Sequence, residues 1–420
     1  MWLYLLLFLI PALAYKLSGN DQSKAFLMVY VTFLALFVGM SDMFGGNDRY
    51  IYGEVFDSIA DTTTMGGGYG RAFAIFFPSE QGYVLLNIVL SWFTANRYVF
   101  ILLITLITYT CLYQSLRRYC DNYPYAVMLF LGLWFFFSFT YLRQVLGATV
   151  AWLSIRYILK RQLLKFLIVW FIAYKIHKSA LLFLPLYFIP IKKYSPKTIL
   201  GVMFVLLFLG ISPLPNALFT AYGDANSMVE KNAQYNASGG FRVEYFLEAA
   251  FFLYVIIRNY SLIPNRRVNV LMLNMALVFC GMLLFFIRSE NGGRLSWYYM
   301  IGIISTLTYL CTQSERKPLL APMMIVVSLL AYVRVYMAWQ TPPLTNLYPY
   351  KTFFSNGVRA NDYSWENWEY DHMYDINKLY RDPLRFKVDL NISNISGKKL
   401  QGQDYGQERD FGQKPETERR

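Results

Sequence analysis

The chain consists largely of apolar runs, each about as long as a helix needs to be to cross a bilayer, roughly 20 residues. Of its 420 residues, 56% are hydrophobic and only 15% are charged. We therefore predict an all-α polytopic membrane protein with about twelve transmembrane helices, within a range of about ten to fourteen. The predicted spans are 2–15, 25–43, 98–116, 125–141, 145–159, 163–176, 180–191, 198–211, 245–257, 268–287, 295–311 and 319–337. Spans 163–176 and 180–191 are short for independent crossings, so we expect tilted or broken helices there, with a backbone irregularity beside His177.

Basic residues in the short connecting loops indicate the orientation of these spans, because such residues stay on the cytoplasmic side. With the N-terminus outside, the cytoplasmic loops contain many basic residues, among them Arg117, Arg118, Lys160 and Arg161. This alternation requires residues 83–93 to form an interfacial or re-entrant helix within one long outer loop, 44–97, of the membrane domain 1–337. We expect a multi-pass protein of a bacterial inner (cytoplasmic) membrane, with its polar site facing the periplasm or the exterior.

The composition changes after residue 337. Residues 338–396 are too polar to span a membrane but too aromatic for a plain linker, so we predict an extramembrane tail that covers the outer face. Residues 397–420 are rich in Gly, Gln, Lys and Glu, and we predict that they are disordered. The cysteines have no metal-ligand spacing and lie in or beside apolar spans, which is typical of free packing thiols.

Several soluble functions are excluded by the composition. The net charge of +13 follows from the loop bias, so it does not indicate a nucleic-acid partner. The chain has only two histidines, and it contains no phosphate-loop, zinc-peptidase or nucleophile-elbow motif. We therefore predict neither a bound metal nor a cofactor.

Three arginines lie at the predicted outer ends of spans. Arg143 is flanked by apolar stretches, and Arg288 and Arg294 bracket the polar segment 289–293. A guanidinium group donates paired hydrogen bonds to phosphate oxygens, so arginines that converge at this face would suit a lipid-linked pyrophosphate. The alternative is that each is an interfacial anchor or pairs with an acid such as Asp48, Glu80 or Glu290.

His177, Asp48 and Glu80 are the candidate acid–base residues on the same face. A histidine at a span end can accept a proton from a sugar hydroxyl, and a carboxylate can orient or deprotonate one. Each has a structural alternative. His177 could form an interfacial hydrogen bond, whereas Asp48 and Glu80 could cap the helices that begin beside them.

Four short segments match a known family. Residues 46–52 resemble its Gly-x-Asp-x-x-x-Tyr segment, and residues 80–83 its Glu-x-Gly-Tyr/Phe segment. Residues 141–144 resemble its x-Leu-Arg-Gln segment, and residues 176–181 its Phe-His-x-Ser-Ala-Leu segment, with Ile176 replacing the usual aromatic. On these motifs the chain resembles the EpsG-type, Wzy-like polysaccharide polymerases over about residues 2–337.

The resemblance implies a fold similar to GT-C-like membrane glycosyltransferases and polymerisation of exported repeat units. The growing glycan would move from undecaprenyl pyrophosphate to the non-reducing end of a new lipid-linked unit. Arg143 with Arg288 or Arg294 would then bind the pyrophosphate, and His177 or Asp48 would activate the acceptor hydroxyl. Tyr52 and Gln144, in the same motifs, are assigned to the glycan.

The partners that the resemblance implies are an undecaprenyl-pyrophosphate-linked oligosaccharide, membrane lipid, and the chain-length regulator and flippase of the same pathway. Two other functions stay open. An O-antigen-type ligase would transfer finished glycan to a different acceptor. A lipid-linked glycan flippase or transporter would place charges around a central cavity, usually with an internal repeat, and no repeat is visible in this sequence.

Overall fold

A computed structural model describes residues 2–18, 23–43, 47–76, 80–215, 217–218, 240–289, 292–313, 318–339, 347, 350–355 and 377–391. These described residues form helices and no β-strand, as predicted for an all-α protein. Glu290, the aromatic segment 363–370 and the terminal segment 397–420 lie outside the described residues, so the predictions made for them stay predictions.

The first half begins with two apolar helices, α1 and α2, and continues through three helices of the predicted outer loop. Their bounds are α1 Trp2–Ser18, α2 Lys24–Gly39, α3 Asn47–Met65, α4 Gly70–Ile75 and α5 Gln81–Ser91, followed by the long helix α6 Arg97–Tyr119. Ser23 and Asn96 cap α2 and α6, because each side chain accepts a hydrogen bond from a backbone N–H of the first turn. The predicted interfacial helix 83–93 therefore exists as α5, although its position relative to the bilayer is untested.

Three predicted spans are interrupted. These are 125–141, 145–159 and 180–191, whereas span 163–176 is continuous. This part of the chain forms α7 Tyr123–Leu133, α8 Phe137–Thr140, α9 Leu142–Leu153, α10 Ile155–Leu159, α11 Leu163–Ile176 and the 3₁₀ helix Lys178–Tyr187. Span 145–159 breaks at Ser154, whose hydroxyl bonds the Ala151 carbonyl at 2.6 Å. Span 180–191 is a 3₁₀ helix rather than an α-helix, and its Pro185 has no N–H to donate. An uninterrupted helix was therefore the wrong prediction for 125–141 and 145–159, whereas the irregularity expected beside His177 is present, with His177 in an extended conformation between α11 and the 3₁₀ helix.

The second half consists mainly of long apolar helices. These are α12 Pro196–Ile211, α13 Val243–Arg258, α14 Arg267–Phe285, α15 Gly292–Leu295, α16 Met300–Cys311 and α17 Leu320–Trp339, with 3₁₀ turns at Tyr260–Leu262 and Ser296–Tyr299. The core forms where α2 packs on α6, α14 on α16, α6 on α9 and α17 on α7. All four cysteines are buried and free of disulfides, as predicted.

Three of the described helices are both long and apolar enough to cross a membrane, namely Arg97–Tyr119, Arg267–Phe285 and Leu320–Trp339. Several shorter apolar helices accompany them, including α1, α2 and α12. The structure therefore agrees with a helical membrane protein, while the count of twelve spans stays a prediction.

The described part of the C-terminal tail packs on the N-terminal half of the chain. Tyr350 stacks on Phe37 with ring centroids 4.2 Å apart. Farther along, the Asn96 side chain donates to the Lys378 carbonyl at 2.6 Å, and Arg381 pairs with Asp61 at 2.6 Å. The tail therefore contacts the start of α6 and the helix α3.

Candidate active site

Glu80 is the buried centre of a cluster that joins three of the motif segments. Its side chain is 8% exposed, and it forms an ion pair with the Arg143 guanidinium. The backbone N–H of Lys178 donates to Oε1 of Glu80 at 3.1 Å, and Nε2 of His177 lies 3.8 Å from the same oxygen. Residues that are far apart in sequence thus surround one carboxylate.

Glu80 occupies the N-cap position of α5, but its side chain makes no capping hydrogen bond. The capping alternative is therefore wrong for Glu80, because the carboxylate points to Arg143 and His177 instead. Asp48, in contrast, lies in the first turn of α3, where an acid favours the helix dipole.

The surroundings of His177 determine which ring nitrogen carries the proton. The backbone N–H of Ser179 can only donate, and it points to Nδ1 of His177 at 3.3 Å. The Ser179 hydroxyl lies 2.6 Å from the same Nδ1 and 3.0 Å from the Tyr298 hydroxyl. We therefore assign Nδ1 as the acceptor, which places the ring proton on Nε2, the atom that faces Glu80.

Burial and charge shift the pKa values of this cluster. Burial is the largest influence on His177 and lowers its pKa to about 4, with Arg143 and Arg294 acting in the same direction against Glu80. Burial raises the pKa of Glu80, but the charge that His177 carries when protonated, the Arg143 guanidinium and the Lys178 N–H outweigh it and hold that pKa below its usual range. Near pH 7 the imidazole is therefore neutral and the carboxylate ionised.

Two tyrosines support Arg143. Its guanidinium lies 5.2 Å from the ring centroid of Tyr52 and 5.9 Å from that of Tyr83. Tyr52 is 4% exposed, and burial raises its pKa to about 12 against the charge of Arg143, so its hydroxyl keeps its proton. Its described contacts include the Arg143 guanidinium and the Tyr83 ring, and its role toward the glycan stays a prediction.

Arg294 and Gln144 connect the short helix α15 to this cluster. The Gln144 amide donates to the Arg294 carbonyl at 2.8 Å, and the Arg294 guanidinium lies 4.5 Å from the centroid of Tyr141. Arg294 is also close enough to lower the pKa of His177. Gln144 is buried, so its described role is to hold α15 against α9.

Arg288 and Asp48 occupy different positions relative to Glu80. The Arg288 side chain donates to the Ile211 carbonyl at 3.1 Å, at the end of α12. Asp48 lies near enough to raise the pKa of Tyr52. Among the described contacts, Glu80, Arg143 and His177 therefore meet directly, Asp48 and Arg294 lie beside them, and Arg288 contacts another helix end.

Sequence reasoning missed two members of the site. Ser179 belongs to the motif segment 176–181, from which no role was predicted for it, although its hydroxyl contacts Nδ1 of His177. Tyr298 belongs to no motif, and only the packing of the 3₁₀ turn Ser296–Tyr299 brings its hydroxyl to Ser179. The described residues contain no group of three or more His, Cys, Asp or Glu side chains that could hold a metal ion.

A family comparison covers these segments together. The sequence model of the EpsG family matches residues 3–352. The chain belongs to the EpsG family. This is a family of Wzy-like polysaccharide polymerases, so the resemblance seen in the four motifs is confirmed. The matched region includes every residue of the Glu80 cluster.

Two further comparisons gave no match. No curated protein and no solved structure matches the chain. The assignment of roles within the Glu80 cluster therefore rests on the geometry of this EpsG-family chain.

Proposed function

We propose that this protein polymerises lipid-linked polysaccharide repeat units. The growing glycan is transferred from undecaprenyl pyrophosphate to the non-reducing end of a new lipid-linked unit. The observation that carries the proposal is the buried Glu80 carboxylate, which Arg143 and the Lys178 N–H hold ionised beside the neutral His177. Membership of the EpsG family supports the general reaction class.

The acceptor hydroxyl is proposed to bind at the gap between His177 and Glu80. Nε2 of His177 lies 3.8 Å from Oε1 of Glu80, which is longer than a direct hydrogen bond. A hydroxyl oxygen can accept from Nε2–H while its own proton points to the carboxylate. In this arrangement His177 orients the nucleophile and Glu80 is the general base.

The transfer step is a substitution at the anomeric carbon of the donor. The acceptor oxygen forms the new glycosidic bond as the bond between that carbon and the pyrophosphate oxygen breaks. The hydroxyl proton goes to Glu80, and the bonding electron pair leaves with the pyrophosphate. Arg294, which lies beside His177 over the ring of Tyr141, is the arginine we propose to face the leaving phosphates.

Arg143 has a different proposed role from the one expected. Its described ion pair with Glu80 keeps the carboxylate charged and in place. In this proposal Arg143 therefore positions the general base and does not contact the pyrophosphate. Direct phosphate binding by Arg143 or Arg288, which the family resemblance implies, is not part of this proposal.

The test uses purified protein in liposomes with lipid-linked repeat units extracted from cells that lack it. Wild type is expected to produce a ladder of longer lipid-linked glycans, and Glu80→Gln is expected to produce none at an equal protein level. Asp61→Asn is the matched control, because Asp61 is a half-exposed carboxylate of the same loop that pairs with Arg381.

Each outcome distinguishes one alternative. A normal ladder from Glu80→Gln would remove Glu80 from the chemistry. Transfer of glycan only to an acceptor that is not a lipid-linked unit would identify a ligase. Movement of intact lipid-linked units across the bilayer without elongation would identify a flippase.

The proposed setting is a bacterial inner (cytoplasmic) membrane, with the Glu80 cluster facing the periplasm or the exterior. A flippase that delivers the lipid-linked units and a regulator of chain length are the proposed functional partners. The loop-charge bias and the chemistry of a lipid-linked substrate support this setting.

A further inference from the structure

Residues 385–391 of the tail run along the helices of the first long loop, after a stretch of turns and bends at 378–384. The backbone N–H of Arg385 donates to the Phe93 carbonyl, and that of Lys387 to the Trp92 carbonyl, both at 2.9 Å. Near the end of the segment, Tyr69 N–H donates to the Asn391 carbonyl at 3.1 Å. In an extended chain held in this way, successive side chains point to opposite sides.

The polar side chains of this segment point toward the protein. Arg385 donates from Nε to the Ser91 carbonyl at 2.8 Å and from its terminal nitrogen to the Ala60 carbonyl at 3.0 Å. The Lys387 ammonium bonds the Thr64 carbonyl. Both basic residues therefore tie the segment to the ends of α3 and α5.

The alternate apolar side chains point away from the protein. Leu384 is 82% exposed, Phe386 80%, Val388 49% and Leu390 74%. We name these four residues the apolar stripe. On a surface in contact with water, the basic side chains would point outward and the apolar side chains toward the protein, because a contiguous apolar area exposed to water is unfavourable. The arrangement fits a surface that contacts an apolar phase.

The apolar stripe contacts an exposed aromatic ring next to α5. The Phe386 ring lies 5.9 Å from the ring of Phe93, which is 43% exposed just beyond α5. Helix α5 also exposes Leu85, and α11, on which α5 packs, exposes Phe171 and Ile172. In a helical membrane protein, exposed apolar side chains of this kind face lipid.

We propose that residues 384–390 lie in the interface of the lipid bilayer on the side of the Glu80 cluster. The apolar stripe inserts among the upper acyl chains, while Arg385 and Lys387 bind the protein on the opposite side. The tail thereby fastens the ends of α3 and α5 to the membrane surface. This inference goes beyond the proposed reaction, since it holds whatever chemistry Glu80 performs.

The test measures lipid contact directly in the full chain. An environment-sensitive dye is attached to Phe386→Cys, and to Ser58→Cys as a control on the exposed polar side of α3. The native cysteines are buried, so background labelling is small. In nanodiscs whose lipids carry a nitroxide near the headgroup, the dye at position 386 is expected to lose most of its fluorescence. The dye at position 58 is expected to respond only to a water-soluble quencher.

Either of two quenching results overturns the proposal. Equal access of the soluble quencher to both dyes places the apolar stripe in water. Protection of position 386 from both quenchers places protein over it. An unlabelled test uses trypsin cleavage at Arg385 and Lys387 in nanodiscs, where Phe386→Glu should be cleaved faster than wild type and Phe386→Leu should not. Equal cleavage of the two variants would also overturn it.

Discussion

At the scale of single residues, the buried carboxylate of Glu80 explains the arrangement of its neighbours. A charge removed from water is costly unless it is paired, and Arg143 together with the Lys178 N–H supplies the pairing. His177 adds a neutral donor on the remaining side. A group with these partners stays ionised near neutral pH, which is the state that a proton acceptor requires.

Substitutions of His177 distinguish whether this residue is a hydrogen-bond donor or the general base. If Nε2–H donates to the acceptor hydroxyl, the side-chain amide of His177→Gln can replace that donor, and polymerisation should fall by about tenfold to a hundredfold without vanishing. His177→Ala should lose all of it. The measurement is the initial rate of ladder formation by the two variants at equal protein level.

The opposite result would change the assignment of the base. Complete loss in His177→Gln, together with normal folding, means that the imidazole itself accepts the proton. Ser179→Ala and Tyr298→Phe serve as companions, because the first removes the hydroxyl that contacts Nδ1 and the second removes the hydroxyl that contacts Ser179, and neither touches Nε2. We expect both to slow the reaction and neither to abolish it.

The pH dependence should reflect the shifted ionisations. The pKa of His177 is lowered to about 4 and that of Glu80 lies below its usual range, so both groups keep their active forms as the pH falls to about 5. The rate on purified lipid-linked units is expected to be flat from about pH 5.5 to 7.5 and to fall only in more acidic solution. An acid limb centred near pH 6.5 would show instead that the imidazole is solvated like an ordinary histidine.

At the scale of secondary structure elements, small residues determine how closely the site-bearing segments approach. A Cβ atom placed on Gly82 of α5 would lie 2.9 Å from the backbone carbonyl carbon of Lys175, near the end of α11. A Cβ atom on Gly147 of α9 would lie 3.1 Å from Cβ of His177. Both glycines permit the close contact that brings Glu80 and Arg143 to His177.

Gly82→Ala should therefore disrupt the site without removing any polar group. The backbone of α5 or of α11 must move to accept the methyl group, and we expect polymerisation to fall by about tenfold or more. Gly201→Ala in α12 is the control, because a Cβ atom there meets nothing within 4 Å. Equal activity of the two alanine variants would show that the α5–α11 contact does not position Glu80.

At the scale of the whole molecule, the tail and the first long loop form one structural unit. The buried ion pair between Arg97 and Asp57 joins α6 to α3, with a distance of 2.9 Å from Nε. Arg381 of the tail approaches the same Asp57 at 3.8 Å. Residues more than 300 positions apart thus meet at α3.

Membrane orientation is predicted to place this unit outside the cytoplasm. Ser58→Cys, on the exposed side of α3, should react with an impermeant thiol reagent in intact cells or spheroplasts. Lys160→Cys, exposed between α10 and α11, should react only after the membrane is opened. The reverse labelling pattern would overturn the orientation and place the Glu80 cluster on the cytoplasmic side.

The sequence predicted the helical membrane class and the family, but not the continuity of every helix. Apolar length is a local property, so α1, α2 and α6 were recognised from it. The break at Ser154 was not visible, because a broken and a continuous apolar helix have similar composition, whereas the break before Lys178 was expected from the short spans on both sides of His177. Hydropathy alone therefore overestimated the regularity of these spans.

The candidate site residues could be identified from the sequence, whereas only the tertiary structure shows which of them contact one another. Asp48, Glu80, Arg143 and His177 were found as polar residues at apolar segment ends, since such residues are costly unless they function or pair. Their motifs do not state that Arg143 pairs with Glu80, 63 residues away, or that Tyr298 reaches Ser179, 119 residues away. Those contacts depend on how closely the helices pack, and the spacing of residues along the sequence does not give these distances.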